Sequence, residues 1–535
     1  MGFARTGAVA LTGVEGVVVE VQADLEPGVA SFSLVGLADR SLSESRDRVR
    51  AAVVNSGADW PQKKLTVGLS PASVPKAGSG FDLAVACGVL AAAERIDPRS
   101  VADLVLVGEL SLDGRVRPVR GVLPAVLAAA DAGYRRVVVP EAAVAEAALV
   151  PEMTVLGVRS LRQLIALLAG EPVPEEPGEP PGEGPPGAAW GHPQPPGLCG
   201  LAGAGGPEPD LADVAGQHLA RRALEVAAAG RHHLLLRGAP GAGKTMLAER
   251  LPGLLPPLTR QEALEVTAVH SVGGSLPPGR PLIDRAPFCA PHHSASMAAL
   301  IGGGSGFPRP GAVSLAHHGV LFIDEAAEMS GPALDALRQP LESGQVVVAR
   351  AAGILRMPAR VLLVLAANPC PCGRHGSPGG ECECLPSAVR RYQARLSGPL
   401  LDRVDLRVPV EPVGRAELLS QGGRGEPTAR VAGRVRLARE RAAARYADTP
   451  WRTNGEVPGH ELRTRFAPAP GALLRAEQDL ERGLLTARGL DRVLRVAWTV
   501  ADLAGHDRPT AEDVDAALEL RTGVRRGAGI AGSLP

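Results

Sequence analysis

The sequence predicts a multidomain α/β protein: an N-terminal α+β or α/β domain, a phosphate-loop nucleotide-binding core and a C-terminal helical region. Three observations carry that expectation. The stretch Gly238-Ala-Pro-Gly-Ala-Gly-Lys244-Thr245 fits G-x-x-x-x-G-K-[ST] in full, between a short apolar run and a helical one. A second apolar run, Gly319 to Ile323, ends in two adjacent carboxylates, Asp324 and Glu325. A segment of mostly Pro, Gly and Glu, 171–209, cannot bury a core and separates two foldable blocks.

The first block, 1–170, alternates Val/Leu-rich strands (16–21, 65–69, 104–107, 136–139) with Ala-rich helical runs (41–55, 81–93, 123–132). The second, 210–410, has a helix at 217–230 and a buried strand at 233–237, then the phosphate loop and the helix from Lys244. Further buried strands are expected at 319–323 and 360–366. From 411 to 525 the pattern is helical (429–446, 472–487, 490–504), with a last helix opening on Thr510-Ala-Glu-Asp513, a capping-box-like start, and a short tail at 526–535.

The bulk composition narrows the class. At 535 residues the chain has room for roughly two to four domains. Aromatic residues are 3%, so the cores rest on Ala, Val and Leu. A formal net charge of zero excludes a globally basic nucleic-acid binder and leaves only local patches for such contacts. No run reaches the length of a membrane span and the start does not read as a signal peptide. Of seven cysteines, four crowd between 370 and 384, while Cys87, Cys199 and Cys289 stand isolated. With a phosphate loop and no export signal, these features predict a reduced, cytoplasmic protein.

Lys244 is the only lysine after residue 76 in an arginine-rich chain. A compact ammonium fits between β- and γ-phosphate oxygens inside a backbone nest, where a planar guanidinium does not. Gly238, Ala239, Pro240, Gly241, Ala242, Gly243, Lys244 and Thr245, with Met246 next in the helix, form the expected ATP site. Asp324 at a strand tip can share Mg²⁺ with Thr245, and Glu325 can polarise the attacking water. Asn368, at the end of the third strand, can orient that water, the sensor-1 role. Arg403, in Ser397-Gly-Pro-Leu-Leu-Asp402-Arg403-Val-Asp405, can reach a neighbouring subunit's γ-phosphate; the alternative is an ion pair with Asp402 or Asp405. Arg488 is the candidate sensor-2 arginine, with Arg492 and Arg495 competing for that role. Cys370, Cys372, Cys382 and Cys384 offer four thiolates to a tetrahedral Zn²⁺, although C-x-C pairs are tighter than the usual knuckle; a reduced loop or labile disulfides is the alternative. His292 and His293 lack an acidic or thiol partner at ligand spacing and read as structural or pore-loop residues.

Asp213-Val-Ala-Gly-Gln217, the phosphate loop, Ala290-Pro-His-His293, Pro310 to His317, Gly319 to Glu325, Asn368-Pro-Cys370-Pro-Cys372 and Ser397 to Asp405 together resemble the Mg-chelatase-like AAA+ ATPases of the YifB/ComM family. His318, before the glycine, departs from that pattern. The resemblance implies an AAA+ core with a helical lid and a homo-oligomeric ring, a hexamer with ATP sites between subunits. It also implies two insertions facing the ring pore, one in about 270–310 and one in the hairpin Val346 to Arg356, where Arg350 and Arg356 can meet phosphates or serve as solubilising charge.

In the N-terminal block, Ser70 to Phe81 and Gly108 to Pro118 resemble the proteolytic domain of Lon, a Ser–Lys enzyme, which implies a ribosomal-S5-like α+β fold. The nucleophile position falls on Gly80, beside Ser79, and the dyad lysine position falls on Leu123. No lysine follows Lys76 in this block, so the expected domain is non-proteolytic. The function expected from the whole is an ATP-hydrolysing ring that remodels DNA, as in helicase-driven branch migration during recombination or transformation. A chelatase-type or protein-remodelling ATPase acting on a protein partner is the alternative.

Overall fold

The computed structural model describes residues 2–36, 44–76, 78–176, 199–200, 208–277, 279–303, 309–350, 353–376, 381–414 and 425–523. The expected tail, 526–535, lies outside them, as does most of the Pro/Gly/Glu-rich segment.

The N-terminal block is a seven-stranded mixed sheet in the order 31–35, 64–70, 15–26, 2–12, 104–106, 136–140, 154–158. Gly2–Thr12 and Glu15–Glu26 form a long antiparallel pair across Gly13 and Val14. Gly13 has φ +70°, and a Cβ there would lie 2.5 Å from the Arg356 carbonyl oxygen, so both the turn and the approach of a distant hairpin require glycine. Every residue of the helix Asp82–Ala92 is buried against this sheet. Its carboxylate Asp82 is paired with Arg48 at 2.8 Å.

The second block is built on a six-stranded sheet in the order 199–200, 288–289, 320–323, 362–367, 234–237, 406–409. Five strands are parallel. Val320–Ile323 and Leu362–Ala367 are buried at every residue, because helices cover both faces of a parallel sheet. This is a mixed α/β architecture with the parallel sheet of a phosphate-loop nucleotide-binding core. The chain reverses its strand order around Leu234–Arg237, which sits between strands that follow it in sequence; such a switch point opens a crevice at the carboxyl ends of the strands.

One face of the sheet packs with the C-terminal helices in a single core that includes Leu224, Val364, Val435, Leu494 and Trp498. The opposite face packs with Val269, Leu315, Leu334 and Leu355. The helix Arg260–Gly273 also carries the N-terminal block: Ala268 joins the Val126 and Val137 core, and the Ser271 hydroxyl donates to Glu146 at 2.5 Å. Burial raises the Glu146 carboxyl.

Four expectations are corrected. Cys199–Gly200, inside the expected linker, is an antiparallel edge strand against Phe288–Cys289. Cys199 and Cys289, expected as isolated reduced thiols, are joined as a disulfide, because that pairing sets their Cα atoms face to face. The helix expected over 472–487 runs only from Leu474 to Glu481, since Gly483 turns the chain at φ +70° and Thr486 caps a new helix, Ala487–Ala504. The expected pore segment from His270 begins in the interior: His270 is buried and its Nε2 lies 2.9 Å from the Leu315 carbonyl oxygen.

Candidate functional site

The site lies along the carboxyl edge of the parallel sheet. Leu234–Arg237 leads into the phosphate loop, where Gly241 and Gly243 take φ +76° and +91°, and the helix Lys244–Glu249 begins directly behind it. These left-handed glycines turn successive N–H groups to one side, the geometry of an anion nest. Lys244 is 8% exposed, and its Nζ donates to the carbonyl oxygens of Gly238 (2.8 Å) and Ala239 (2.9 Å) and to Asn368 Oδ1 (3.0 Å). Burial lowers its pKa, opposed by the charges of Asp324 and Glu325. The ammonium thus occupies a polar, partly desolvated seat at the place where an anion can replace its carbonyl partners.

Asp324 follows the strand Val320–Ile323, and Thr245 Oγ1 donates to Asp324 Oδ2 at 2.7 Å. A hydroxyl and a carboxylate oxygen, side by side and accessible, are hard donors that suit Mg²⁺. Glu325 has φ +48°, a left-handed conformation rare outside glycine, and its carboxylate meets His293 Nδ1 at 2.9 Å. His293 lies in the loop after the strand Phe288–Cys289, which pairs directly with the Asp324 strand. His293, which has no acidic partner at ligand spacing in the sequence, meets one distant in sequence: the carboxylate expected to polarise water. Only the strand pairing could reveal this, since nothing near His293 in sequence points to Glu325.

Arg403 does not pair with Asp402 or Asp405. Its guanidinium donates to Glu342 and to the Pro399 carbonyl, and its Nε is buried without a hydrogen-bond partner among the described residues. Asp405 is instead an interior anchor, with His232 Nδ1 at 3.3 Å and Arg492 at 3.0 Å. Burial works against its charge, but the His232 hydrogen bond and the Arg492 charge hold its carboxyl well below the usual carboxylate range.

The competitors of Arg488 are thereby engaged elsewhere, Arg492 with Asp405 and Arg495 with the Val457 carbonyl at 2.7 Å. Arg488 is exposed in the first turn of Ala487–Ala504, with no hydrogen bond or ion pair among the described residues. A cavity of about 210 Å³ adjoins the phosphate loop, lined by Gln217, His218, Pro409, Glu411 and Gly523. Gln217 ties it to the loop by donating to the Ala242 carbonyl oxygen at 3.1 Å.

In the N-terminal block the residues expected near a proteolytic dyad are engaged with different partners. The Ser79 hydroxyl donates to Glu109, and the buried Lys76 ammonium donates to the Pro71 carbonyl oxygen. Leu123 is fully buried among apolar side chains. The hairpin Gln345–Arg350 and Gly353–Pro358 forms in register; Arg356 is exposed on it, and the side chain of Arg350 lies outside the described residues.

Comparison with known proteins matches the sequence to one family. Residues 210–418 match the family described as magnesium chelatase, subunit ChlI. Residues 21–143 match subunit ChlI of Mg-chelatase, and 425–521 match its C-terminal family. Over 528 residues the chain is 38% identical to the competence protein ComM of Haemophilus influenzae, covering 98% of each chain. It is 38% identical over 515 residues to YifB of Escherichia coli, covering 96% of each. An uncharacterized protein of Mycobacterium tuberculosis is 52% identical over 531 residues, 98% of this chain and 100% of that one. The N-terminal block is also similar to a Lon protease of Trichlorobacter lovleyi, 29% identical over 139 residues, 25% of this chain and 17% of that one. With its length matched from end to end, the chain belongs to the YifB/ComM family of Mg-chelatase-like AAA+ ATPases.

Proposed function

We propose that this chain is the subunit of a ring, a hexamer, in which ATP hydrolysis between subunits drives DNA remodelling of the helicase or branch-migration kind. The observation that carries the hydrolytic half is the meeting of Lys244, Thr245, Asp324, Glu325 and Asn368 at one edge of the sheet. Lys244 exchanges its carbonyl partners for phosphate oxygens, and the phosphate-loop N–H groups hold the rest of the triphosphate. The cavity beside Gln217 takes the base. Thr245 and Asp324 hold Mg²⁺, which when bound neutralises charge on the β- and γ-phosphates. Glu325 accepts a proton from the attacking water while Asn368 orients it. Arg403 leaves Glu342 to meet the neighbouring subunit's γ-phosphate, and Arg488 reaches the nucleotide from the helical lid.

Support for DNA as the substrate is of a different kind. The relative from Haemophilus is named a competence protein, and the exposed Arg356 on the hairpin supplies a cation to meet phosphates. The N-terminal block, read as a non-proteolytic S5-like domain, serves assembly or substrate contact. The second reading, a ring that remodels a protein partner, draws on the ChlI similarity. ATPase rates measured with and without single-stranded and branched DNA separate the two. Stimulation and binding that weaken with added salt are expected for the DNA motor, because phosphate contacts release counterions. No binding even at low salt would exclude it.

A further inference from the structure

Cys370, Cys372, Cys382 and Cys384 bring their sulfurs within 4.8 Å of one another, two residues beyond Asn368. Cys370 lies 3.3 Å from Cys372 and 3.8 Å from Cys382, and Cys372 lies 3.7 Å from Cys382. A tetrahedral zinc tetrathiolate with Zn–S bonds of about 2.3 Å has sulfur–sulfur edges of about 3.8 Å. Two of the measured edges match that length and the third is shorter by about half an ångström.

None of the four sulfurs is bonded to another, although the chain does join Cys199 to Cys289. The backbone N–H of His375 donates to Cys370 Sγ at 3.3 Å, an interaction that favours a thiolate ligand and fixes its direction. Four soft sulfur donors select zinc over the hard cations that suit Thr245 and Asp324.

The position of the cluster gives it a mechanical role. Cys370 is fully buried, while Cys372 is exposed. Gly373, at φ +77°, lies so close to the phosphate loop that a Cβ would sit 2.3 Å from Pro240 Cδ. Gln393 holds the Pro369 carbonyl oxygen at 3.0 Å from the other side. The chain leaving Asn368 is thus pressed on the phosphate loop at one point and gathered by four thiols at the next.

We propose that these four cysteines bind one structural zinc ion, and that the metal clamps the loop behind Asn368 against the phosphate loop. Zinc binding stands independently of the function proposed above; only the meaning of the clamp for nucleotide turnover rests on it. Four thiols lose their protons as four thiolate–metal bonds form, with no change of oxidation state.

The test uses the full chain purified under reducing, chelator-free conditions. About one zinc per chain is expected, and less than about a tenth of an equivalent overturns the proposal. Growth with cobalt in place of zinc is expected to give the visible bands of a tetrahedral tetrathiolate; an octahedral spectrum overturns it. Cys382→Ser with Cys384→Ser is expected to abolish stoichiometric zinc, whereas Cys87→Ala is expected to keep it. Full zinc retention by the double variant places the metal elsewhere and overturns the assignment. Should that variant fail to fold, the wild-type stoichiometry and cobalt spectrum decide the question alone. The clamp is read by hydrogen exchange: metal-free protein is expected to lose about tenfold protection in both 368–376 and 238–245. Unchanged protection of the phosphate loop overturns the clamp while leaving the zinc site intact.

Discussion

Arg403→Ala separates a structural arginine from one that works across a subunit boundary. In the single chain its side chain is 17% exposed and pairs with Glu342, which is 66% exposed. The pair is open to solvent on the Glu342 side, so it is screened and is worth about 0.2–1 kcal/mol. Losing it should therefore barely move the unfolding midpoint. The same quantity is what Arg403 spends when it leaves Glu342 for a neighbour's phosphate, a factor of at most about five in the released population. An arginine that stabilises transition-state charge contributes about 10³–10⁵ in kcat. The expected outcome is ATP affinity within a few fold of wild type and hydrolysis lower by about three orders of magnitude.

A mixing assay makes the argument strict. On the proposed mechanism, Glu325→Gln should be inactive in its own site and should still donate Arg403 to the next subunit. Random rings from equal amounts of the two inactive variants would place an intact Glu325 beside an intact Arg403 at about a quarter of the interfaces. Steady-state phosphate release should recover towards that fraction. Mixtures that exchange subunits yet stay inactive, or an Arg403→Ala protein that keeps its activity alone, would refute the interfacial role.

Three other outcomes are expected. Lys244→Ala removes the ammonium that now spans Gly238, Ala239 and Asn368, and should weaken ATP binding by about 10–150-fold, the value of a charge-assisted contact, in a fluorescent-nucleotide titration. His293→Ala breaks a half-exposed pair with Glu325, so single-turnover hydrolysis should change by no more than about fivefold, against about 10²–10⁴ for Glu325→Gln. Asp405→Asn strands His232 and Arg492 and should cost about 3–5 kcal/mol at neutral pH in a denaturant series. Because the Asp405 pKa is depressed in the folded chain, its stabilisation is complete above about pH 4 and is lost as pH falls further, so the gap to wild type should narrow there.

The parts legible in the sequence share one property: their chemistry is local. A parallel strand buried on both faces reads as an unbroken apolar run, and the residue at its tip follows in sequence, so Asp324 and Asn368 announce themselves. The glycines of the phosphate loop do the same, as does the Thr510–Asp513 cap, whose reciprocal bonds the structure shows. The two-residue edge strand at Cys199 carries no periodicity to detect. The long first strand, Gly2–Thr12, alternates too weakly between apolar and polar residues to be read as one.

The sequence alone predicted a phosphate loop and two adjacent acids at the end of a buried strand, because spacing of a few residues is enough to specify a nest and a strand tip. Tertiary structure decided which distant groups meet those residues. Strand pairing carries His293 to Glu325, the helix Arg338–Ser343 brings Glu342 to Arg403, and interior charge pairing takes Arg492 away and leaves Arg488 exposed. Each of these contacts joins segments at least 30 residues apart, and no local pattern encodes such distances; only the packing of sheet and helices sets them.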